Sequence, residues 1–374
     1  MVSTVAVRGY RSLRDIVLPL GQLTVVTGAN GSGKSSIYRA LRLLADCGRG
    51  EMIRSLAREG GLQSARWAGQ SAGNRPVTLE LGYAADDFGY VVDLGMPIPS
   101  TTMFGRDPHI KREMVFAGAI LRPASTLVRR GGALAERRDD SGTGFVELAR
   151  GLEIYRSVLT EFADPRQLPE LAAVRDRLRG WRFYDGFRAD ADAPARRPHV
   201  GTRTPILADD GADLAAAIQT IIEAGSGAGS DDLQRAVSEA FGGATVSVVD
   251  IDGVFDLQVS QPGILRPLRA AEMSDGTLRF LLWTAALLGP QLPSLMVLNE
   301  PETSLHPDLV RPLASLIRAA ADRTQLLVVT HSPELITALD ESSVQIELIK
   351  DSGGATRVAG QGILDVPSWH WGSR

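Results

Sequence analysis

The sequence of 374 residues is poor in cysteine, histidine and lysine. A single cysteine, Cys47, excludes an internal disulfide framework and is typical of a reducing cytosol. Five scattered histidines give no Cys/His spacing of the kind that holds zinc. Only three of the 40 basic residues are lysines (Lys34, Lys111 and Lys350), so a lysine inside a motif is informative.

Long apolar runs are also missing. The longest candidate, FLLWTAALL at 280–288, is about half of the roughly 18 residues that a membrane span requires, and it predicts a buried helix. The N-terminus MVSTVAVRGYRSL has no apolar core of a signal peptide. With 44% apolar and 22% charged residues, the composition is that of a globular protein. We therefore expect a cytoplasmic protein without a membrane partner.

The hydrophobic patterns predict an α/β fold in three parts. In residues 1–97, a strand pair, a third strand at 22–27 and an amphipathic helix at 34–47 precede a hairpin around Asp86-Asp87. Residues 266–374 alternate helix and strand, which predicts a parallel sheet covered on both faces.

The intervening residues 98–265 predict an α+β insert. Strands are expected near 114–116 and 126–129, and helices at 144–162, 168–181 and 212–224. A long loop is expected at 189–211, and a Gly/Ser linker at 225–230.

The segment Gly28–Ser35 (GANGSGKS) fits the phosphate-loop pattern G-x-x-x-x-G-K-S/T in full. It follows a predicted strand and opens a predicted helix, as the motif requires. Glycines let backbone N–H groups turn toward a polyphosphate, and the helix N-terminus adds partial positive charge. Lys34 would reach the β- and γ-phosphates, and the Ser35 hydroxyl could ligate Mg²⁺. The segment predicts nucleotide binding.

Two strands near the C-terminus end in polar residues. The strand at 294–299 ends in Asn299-Glu300, where Glu300 is the candidate base for an attacking water. Asn299 occupies a position that commonly supports Mg²⁺, and its amide oxygen could accept a hydrogen bond from a metal-bound water. The strand at 325–330 is followed by His331, a candidate contact to the γ-phosphate. The alternatives are a strand that ends at a proline turn and a structural histidine.

Ser274 and Gly276 precede the apolar helix and allow two interpretations. In the first interpretation, Ser274 acts only as a helix N-cap. Alternatively, the segment Ser274-Asp275-Gly276 presents a second phosphate-facing helix N-terminus. Because the chain already has its own phosphate loop, this element would serve a nucleotide held by another protomer.

In this order the motifs resemble an ABC-type ATPase head of the RecF, SMC and RecN kind. The resemblance is strongest to bacterial stand-alone predicted ATPases of the AAA family, which are related to the ATPase portion of OLD (overcoming lysogenization defect) nucleases. The segments that carry it are RGYRSL, GANGSGKSS, SDGTLR, LNEPETSLHP and VVTHSPEL. FYDGFR and ILADDGADLAA add weaker support. The fold implied is a P-loop NTPase with an ABC-type head, a mixed or parallel sheet with N-terminal antiparallel strands, and an α+β insert.

The resemblance also implies roles for individual residues. ATP and Mg²⁺ would be bound by Asn30, Gly31, Ser32, Gly33, Lys34, Ser35 and Ser36. Ser274 and Gly276 would be the signature that contacts a partner's nucleotide, Glu300 the catalytic glutamate and His331 the switch histidine. Arg11 would lie near the nucleotide, and Asn299 would support Mg²⁺ through water. Two heads would form a homodimer around ATP.

Three departures from the family pattern concern turnover and sensing. Asp275 replaces the usual glycine of the signature. Asn299 replaces the metal-supporting aspartate, so we expect slow hydrolysis but intact binding. The glutamine that usually senses Mg²⁺ has only weak candidates, Gln63 and Gln70.

The sequence leaves the biological role open among several functions. Residues 104–205 carry a net charge of +5 and the remainder of the chain −9. A positive insert could contact DNA through its phosphates, which would fit a role in repair, genome maintenance or phage defence. The alternative is a solvated, arginine-rich loop without a binding function. Asn299 favours a slow ATP switch that regulates or sequesters an effector protein. A transporter ATPase subunit fits less well, because the signature differs. About 25 residues follow Lys350, which we expect to be too few for an OLD-type nuclease domain.

Overall fold

A computed structural model describes the chain over residues 1–69, 78–97, 103–162, 164–224, 228–362 and 365–372. The strands are β1 (Val2–Tyr10), β2 (Leu13–Pro19), β3 (Leu23–Gly28), β4 (Leu79–Ala85), β5 (Phe88–Gly95), β6 (His109–Ala117), β7 (Thr126–Gly131), β8 (Leu134–Arg138), β9 (Phe145–Arg150), β10 (Arg182–Tyr184), β11 (His199–Val200), β12 (Thr245–Ile251), β13 (Val254–Ser260), β14 (Leu268–Arg269), β15 (Leu295–Asn299), β16 (Gln325–Val329), β17 (Val344–Lys350) and β18 (Thr356–Val358). The helices are α1 (Lys34–Arg49), α2 (Met52–Arg58), α3 (Leu62–Ala65), α4 (Val158–Glu161), α5 (Pro169–Gly180), α6 (Leu214–Ala224), α7 (Ala228–Ala240), α8 (Asp275–Leu288), α9 (Val310–Ala321) and α10 (Pro333–Leu339).

These elements form two compact units. The first comprises Met1–Gly21, Val26–Trp181 and Ile346–Arg374, and the second comprises Gln22–Val25 and Arg182–Gln345. The predicted division at 97/98 and 265/266 separates an inserted segment from the two lobes of an ATPase head, whereas the two units above are defined by compactness. The predicted division therefore stays a prediction.

An eight-stranded antiparallel sheet dominates the first unit, in the order β2-β1-β4-β5-β6-β7-β8-β9. The predicted N-terminal strand pair and the Asp86-Asp87 hairpin are confirmed as β1–β2 and β4–β5. Helix α1 packs against α5. The C-terminal strands β17 and β18 pair antiparallel, with Leu348 opposite Val358.

In the second unit, β15 and β16 are parallel neighbours, as the alternation of helix and strand predicted. A strand that was not predicted, β10, pairs in parallel with β15. Helix α8, the apolar run of the sequence, is buried over most of its length, because the core surrounds it. Helix α9 buries Leu313, Ala314 and Ile317, which lie on one face at the spacing of an amphipathic helix. A smaller antiparallel sheet, β11-β13-β12 with β14 on β13, packs against α6 and α7.

Two predictions about the middle of the chain are wrong. Residues 144–162 do not form one helix, because β9 pairs with β8 and Gly151 takes a φ of +84°, which a continuing helix excludes. Phe145 lies under the guanidinium groups of Arg129 and Arg138, and these tertiary contacts override helical propensity. The expected linker 225–230 belongs in part to α7, which begins at Ala228, while 225–227 lie outside the described residues.

Among the described helices, none is both long and apolar enough to cross a membrane.

Candidate functional site

The phosphate loop joins the end of β3 to the start of α1 and depends on two glycines. Gly28 has a φ of +139° and Gly33 a φ of +116°, conformations that L-residues rarely adopt. A Cβ atom on Gly28 would lie 2.3 Å from the carbonyl oxygen of Leu348, and one on Gly33 would lie 2.3 Å from Oγ1 of Thr356. Both positions therefore require glycine, which keeps the loop backbone close to its neighbours.

Lys34 places a buried positive charge within this loop. Its side chain belongs to a residue that is only 6% exposed, and Nζ donates to the carbonyl oxygens of Gly28 at 2.6 Å and Ala29 at 3.3 Å. In the described parts of the chain no carboxylate forms an ion pair with it. A buried ammonium group held only by neutral carbonyls is costly unless an anion approaches.

The N-terminus of α1 reinforces this preference for an anion. The N-cap Gly33 offers no side-chain oxygen, and the first turn contains no acidic residue, so its N–H groups are not capped by a side chain. Ser35 is exposed at the start of the helix. Together with Lys34, these amides form the arrangement that binds phosphate groups at helix N-termini.

Thr356 and Ser12 support the loop from behind, and neither was predicted as a site residue. The Thr356 hydroxyl donates to the carbonyl oxygen of Ser32 at 2.7 Å and shares a hydrogen bond of 2.8 Å with the Ser12 hydroxyl. The Thr356 N–H donates to the Ser12 carbonyl at 2.9 Å, and Thr356 is 1% exposed. The Ser12 hydroxyl also lies 3.4 Å from that of Ser36. A residue of β18 thus fixes the backbone on which a phosphate would lie.

Arg11 follows β1 with a φ of +47° and is held by Glu59. Its Nη2 donates to Glu59 at 2.8 Å, and the Tyr10 hydroxyl donates to the same carboxylate at 2.7 Å. Burial, followed by the Glu59 carboxylate, raises the pKa of Tyr10 well above its ordinary value. The structure places Arg11 in an ion pair, and its predicted proximity to the nucleotide stays a prediction. Of the glutamine candidates, Gln63 is exposed on α3 and Gln70 lies outside the described residues.

In the second unit, the parallel strands bring polar residues to one edge. Tyr184 of β10 lies opposite Leu298 of β15, and Asn299 lies opposite Val329 of β16. The residues that follow these strands therefore emerge side by side at their carboxyl ends, where open α/β sheets bind ligands. They include Asp185, Glu300 and His331, so two predicted site residues and one unexpected residue meet there.

Glu300 and His331 are in contact at this edge. Nδ1 of His331 lies 3.3 Å from Oε1 of Glu300, and both side chains are partly exposed, by 54% and 38%. Glu300 has a φ of +48°, and its N–H donates to the Val329 carbonyl at 2.7 Å. Non-glycine residues in this conformation are uncommon and concentrate at functional sites.

Glu302 is a buried carboxylate that was not among the predicted site residues. Its side chain is 8% exposed, and Oε1 accepts hydrogen bonds from the Thr330 hydroxyl at 2.5 Å and the His331 N–H at 3.4 Å. Its second oxygen, Oε2, is buried and has no hydrogen-bond partner among the described residues. Glu302 therefore holds both the backbone of His331 and the side chain of the preceding residue, Thr330. The repeated Glu-Pro-Glu at 300–302 was the available signal.

Asn299 donates through Nδ2 to Oδ1 of Asp185 at 2.5 Å. The amide that replaces the expected aspartate is thus in contact with a carboxylate from the neighbouring strand.

At the signature segment, the helix-cap interpretation has a geometric basis. Ser274 is the N-cap of α8, and its hydroxyl accepts from the Thr277 N–H at 3.1 Å. Asp275 pairs with the largely buried Arg196 at 2.7 Å, which explains how an acidic residue fits where a glycine was expected. Gly276 follows within the first turn. A contact of Ser274 and Gly276 with a partner's nucleotide stays a prediction.

Comparison with known proteins assigns the family. Residues 131–337, more than half of the chain, match the family described as "AAA domain, putative AbiEii toxin, Type IV TA system". The chain belongs to this AAA family. Residues 1–54 match a second family, described as an AAA ATPase domain. The OLD nuclease of Thermus scotoductus is 48% identical over 44 residues, which are 12% of this chain and 8% of that protein. The chain therefore matches less than a tenth of that relative's length.

Solved structures show the same fold at low sequence identity. An Smc head bound to the C-winged helix domain of ScpA has a TM-score of 0.54 and 13% identity, covering 97% of this chain and 98% of that chain. An Smc head with an extended coiled coil from Pyrococcus furiosus, bound to the C-terminal domain of ScpA, has a TM-score of 0.50 and 14% identity, covering 96% and 95%. The predicted fold, an α/β P-loop ATPase head of the ABC type, is confirmed, as is the resemblance to the RecF, SMC and OLD class.

Proposed function

We propose that this AAA-family protein binds ATP with Mg²⁺ on its phosphate loop and hydrolyses it slowly. The observation that carries the proposal is the buried Lys34 ammonium, which lies against loop carbonyls beside uncapped helix amides. Such an arrangement is completed by a polyphosphate, which supplies the missing negative charge. Gly28 and Gly33 support it, because any side chain there would collide with the loop's supports.

The oxygen donors present fit Mg²⁺, which prefers hydroxyl, carboxylate and water ligands. Ser35 would hold the ion through its hydroxyl, and Asn299 through an intervening water. When bound, the ion would neutralise charge on the phosphate oxygens. Glu300 is the general base that we assign to the attacking water, because its carboxylate is accessible and held by a constrained backbone. His331, in contact with Glu300, would orient that carboxylate and respond to the γ-phosphate.

Hydrolysis is expected to be slow. The amide of Asn299 carries no charge, whereas related ATPases usually have an aspartate there to support the metal. Binding depends mainly on the phosphate loop and should be unaffected. Such an enzyme remains in its ATP-bound state for long periods, which suits a switch better than a motor.

We further propose that two copies associate around ATP. Ser274 and Asp275 are exposed at the N-terminus of α8, where a partner's nucleotide could reach them. Closure with ATP and release after hydrolysis would make the dimer the readout of nucleotide state.

For the biological role, a protein partner in phage defence or toxin regulation is better supported than DNA. The description of the matched family names a type IV toxin–antitoxin system. In addition, at least eleven of the 19 basic residues in 104–205 form ion pairs with carboxylates, and Arg130 and Arg196 are buried. Paired arginines offer little net charge to phosphates. A DNA repair or maintenance role remains the second candidate.

The test is nucleotide binding and turnover by the purified protein. We expect calorimetry to detect ATP binding that Lys34→Ala abolishes, and phosphate release that Glu300→Gln abolishes while ATP binding persists. With ATP, the Glu300→Gln variant should double its mass in light scattering. Absence of ATP binding by the wild type would overturn the proposal. A Glu300→Gln variant that binds ATP but stays monomeric would overturn dimerisation alone, and salt-sensitive DNA binding at low salt would favour the second candidate.

A further inference from the structure

We infer that Asp185 supplies the acidic charge that Asn299 lacks at the end of β15, so that the affinity for Mg²⁺ is kept, although the position of the aspartate itself stays neutral and hydrolysis stays slow. This inference rests on the proposed function. The two residues are brought together by strand pairing, since Tyr184 lies opposite Leu298 in the parallel β10–β15 ladder. The next residue on each strand is Asp185 or Asn299, and Nδ2 of Asn299 donates to Oδ1 of Asp185 at 2.5 Å.

The chemistry of the pair fixes its orientation. An ionised carboxylate can only accept hydrogen bonds, so the amide of Asn299 must turn its nitrogen toward Asp185. The amide oxygen then faces elsewhere and stays an acceptor, and the second carboxylate oxygen of Asp185 is also an acceptor. The pair thus presents one neutral and one charged oxygen at the strand ends. Both kinds of oxygen accept hydrogen bonds from metal-bound water, which is how Mg²⁺ is commonly supported.

The charge of Asp185 differs from that of the acids that follow it. Asp190 pairs with Arg188 at 2.7 Å, and Asp192 pairs with Arg197 at 3.4 Å. Within the described residues, Asp185 has no such basic partner, and its side chain is exposed. Its negative charge is therefore not cancelled by a neighbouring arginine.

The opposing explanation is that the hydrogen bond only fixes the end of β10 against β15. Asp185→Asn separates the two, because an asparagine keeps the shape and can still form an amide–amide hydrogen bond but has no charge. Loss of an outer acidic partner of this kind typically weakens metal binding by about 10- to 100-fold. We therefore expect Mn²⁺, used as the spectroscopic substitute for Mg²⁺, to bind the Asp185→Asn protein with ADP at least about ten-fold more weakly.

The experiment is an electron paramagnetic resonance titration of Mn²⁺ into the 374-residue chain with ADP. The decisive variant is the exchange Asp185→Asn with Asn299→Asp, which moves the carboxylate to the neighbouring strand and should restore most of the lost affinity. Asp192→Asn is the matched control, an exposed acid of the following segment, and should bind Mn²⁺ as the wild type does. ADP affinity in EDTA should be equal in all four proteins, because the phosphate loop is unchanged.

Wild-type Mn²⁺ affinity in a folded Asp185→Asn protein would overturn the inference. Failure of the exchange variant to recover affinity, with an unchanged thermal unfolding midpoint, would also overturn it, since the loss would then come from distortion. If the wild type binds neither ADP in EDTA nor ATP with Mg²⁺, the proposed function fails instead, and that result is distinguishable because it does not involve the variants.

Discussion

Thr356→Val is the substitution that best tests how the phosphate loop is held. It replaces a buried hydroxyl with a methyl group of similar size, so packing changes little. The change removes the donor to the Ser32 carbonyl at 2.7 Å and the hydrogen bond to the Ser12 hydroxyl at 2.8 Å. Leaving a buried polar group unsatisfied costs about 1–3 kcal/mol. The loop of the variant can avoid this cost by moving away from the valine.

Binding of a nucleotide would then have to restore the displaced loop. If the whole cost falls on the bound state, the ADP dissociation constant rises by about five- to a hundred-fold, since about 1.4 kcal/mol corresponds to ten-fold. The assay is isothermal titration with ADP in EDTA, which reports the loop without metal. Thr356→Ser keeps the hydroxyl and should bind ADP nearly as well as the wild type.

Thr284→Val provides the matched control for the loss of a buried threonine hydroxyl. Thr284 is fully buried in α8, and its hydroxyl donates to the Phe280 carbonyl at 2.8 Å. Because that carbonyl also accepts the helical N–H of residue 284, the variant leaves no buried carbonyl unsatisfied, and we expect it to bind ADP as the wild type does. The reasoning is refuted if Thr356→Val binds ADP as tightly as the wild type, or if Thr284→Val weakens binding equally.

Two further predictions concern carboxylates. Glu302→Gln should lower kcat for ATP hydrolysis by about 10- to 100-fold at unchanged KM, because misplacing His331 affects the reaction more than binding. The control is Glu334→Gln at an exposed residue. Equal kcat values for the two variants would contradict the positioning role of Glu302. A hydrogen bond from Arg177 lowers the pKa of Asp87 to about 2. The pair therefore stabilises the folded state at pH values above the ordinary carboxyl pKa of about 4, and this contribution is lost as the pH falls from about 4 to 2. For so exposed a pair it is below about 1 kcal/mol, and Asp87→Asn should remove that part of the acid sensitivity in urea unfolding at pH 6 and pH 3.

The parts of the fold that were predictable have their determinants close together in sequence. The phosphate loop is a continuous segment whose glycines, lysine and flanking strand and helix are all local, and the positive φ values of Gly28 and Gly33 bear out that pattern. The parallel strands β15 and β16 were predictable because each is an apolar run with a helix between them. The helix predicted at 144–162 is wrong because residues 145–150 pair with β8 as a strand, and helical propensity contains no information about that pairing.

The supports of the candidate site were not predictable, and the two main examples share one cause. Thr356 reaches the phosphate loop from the C-terminal strand β18, and Asp185 reaches Asn299 from β10, so each contact joins residues that only the pairing of distant strands brings together. Asn299, considered by itself, indicates a loss of charge. Considered with its neighbour on the adjacent strand, it indicates a charge moved by one strand. An aspartate missing from a strand end in this family is therefore evidence of impaired metal support only after the parallel neighbour has also been inspected.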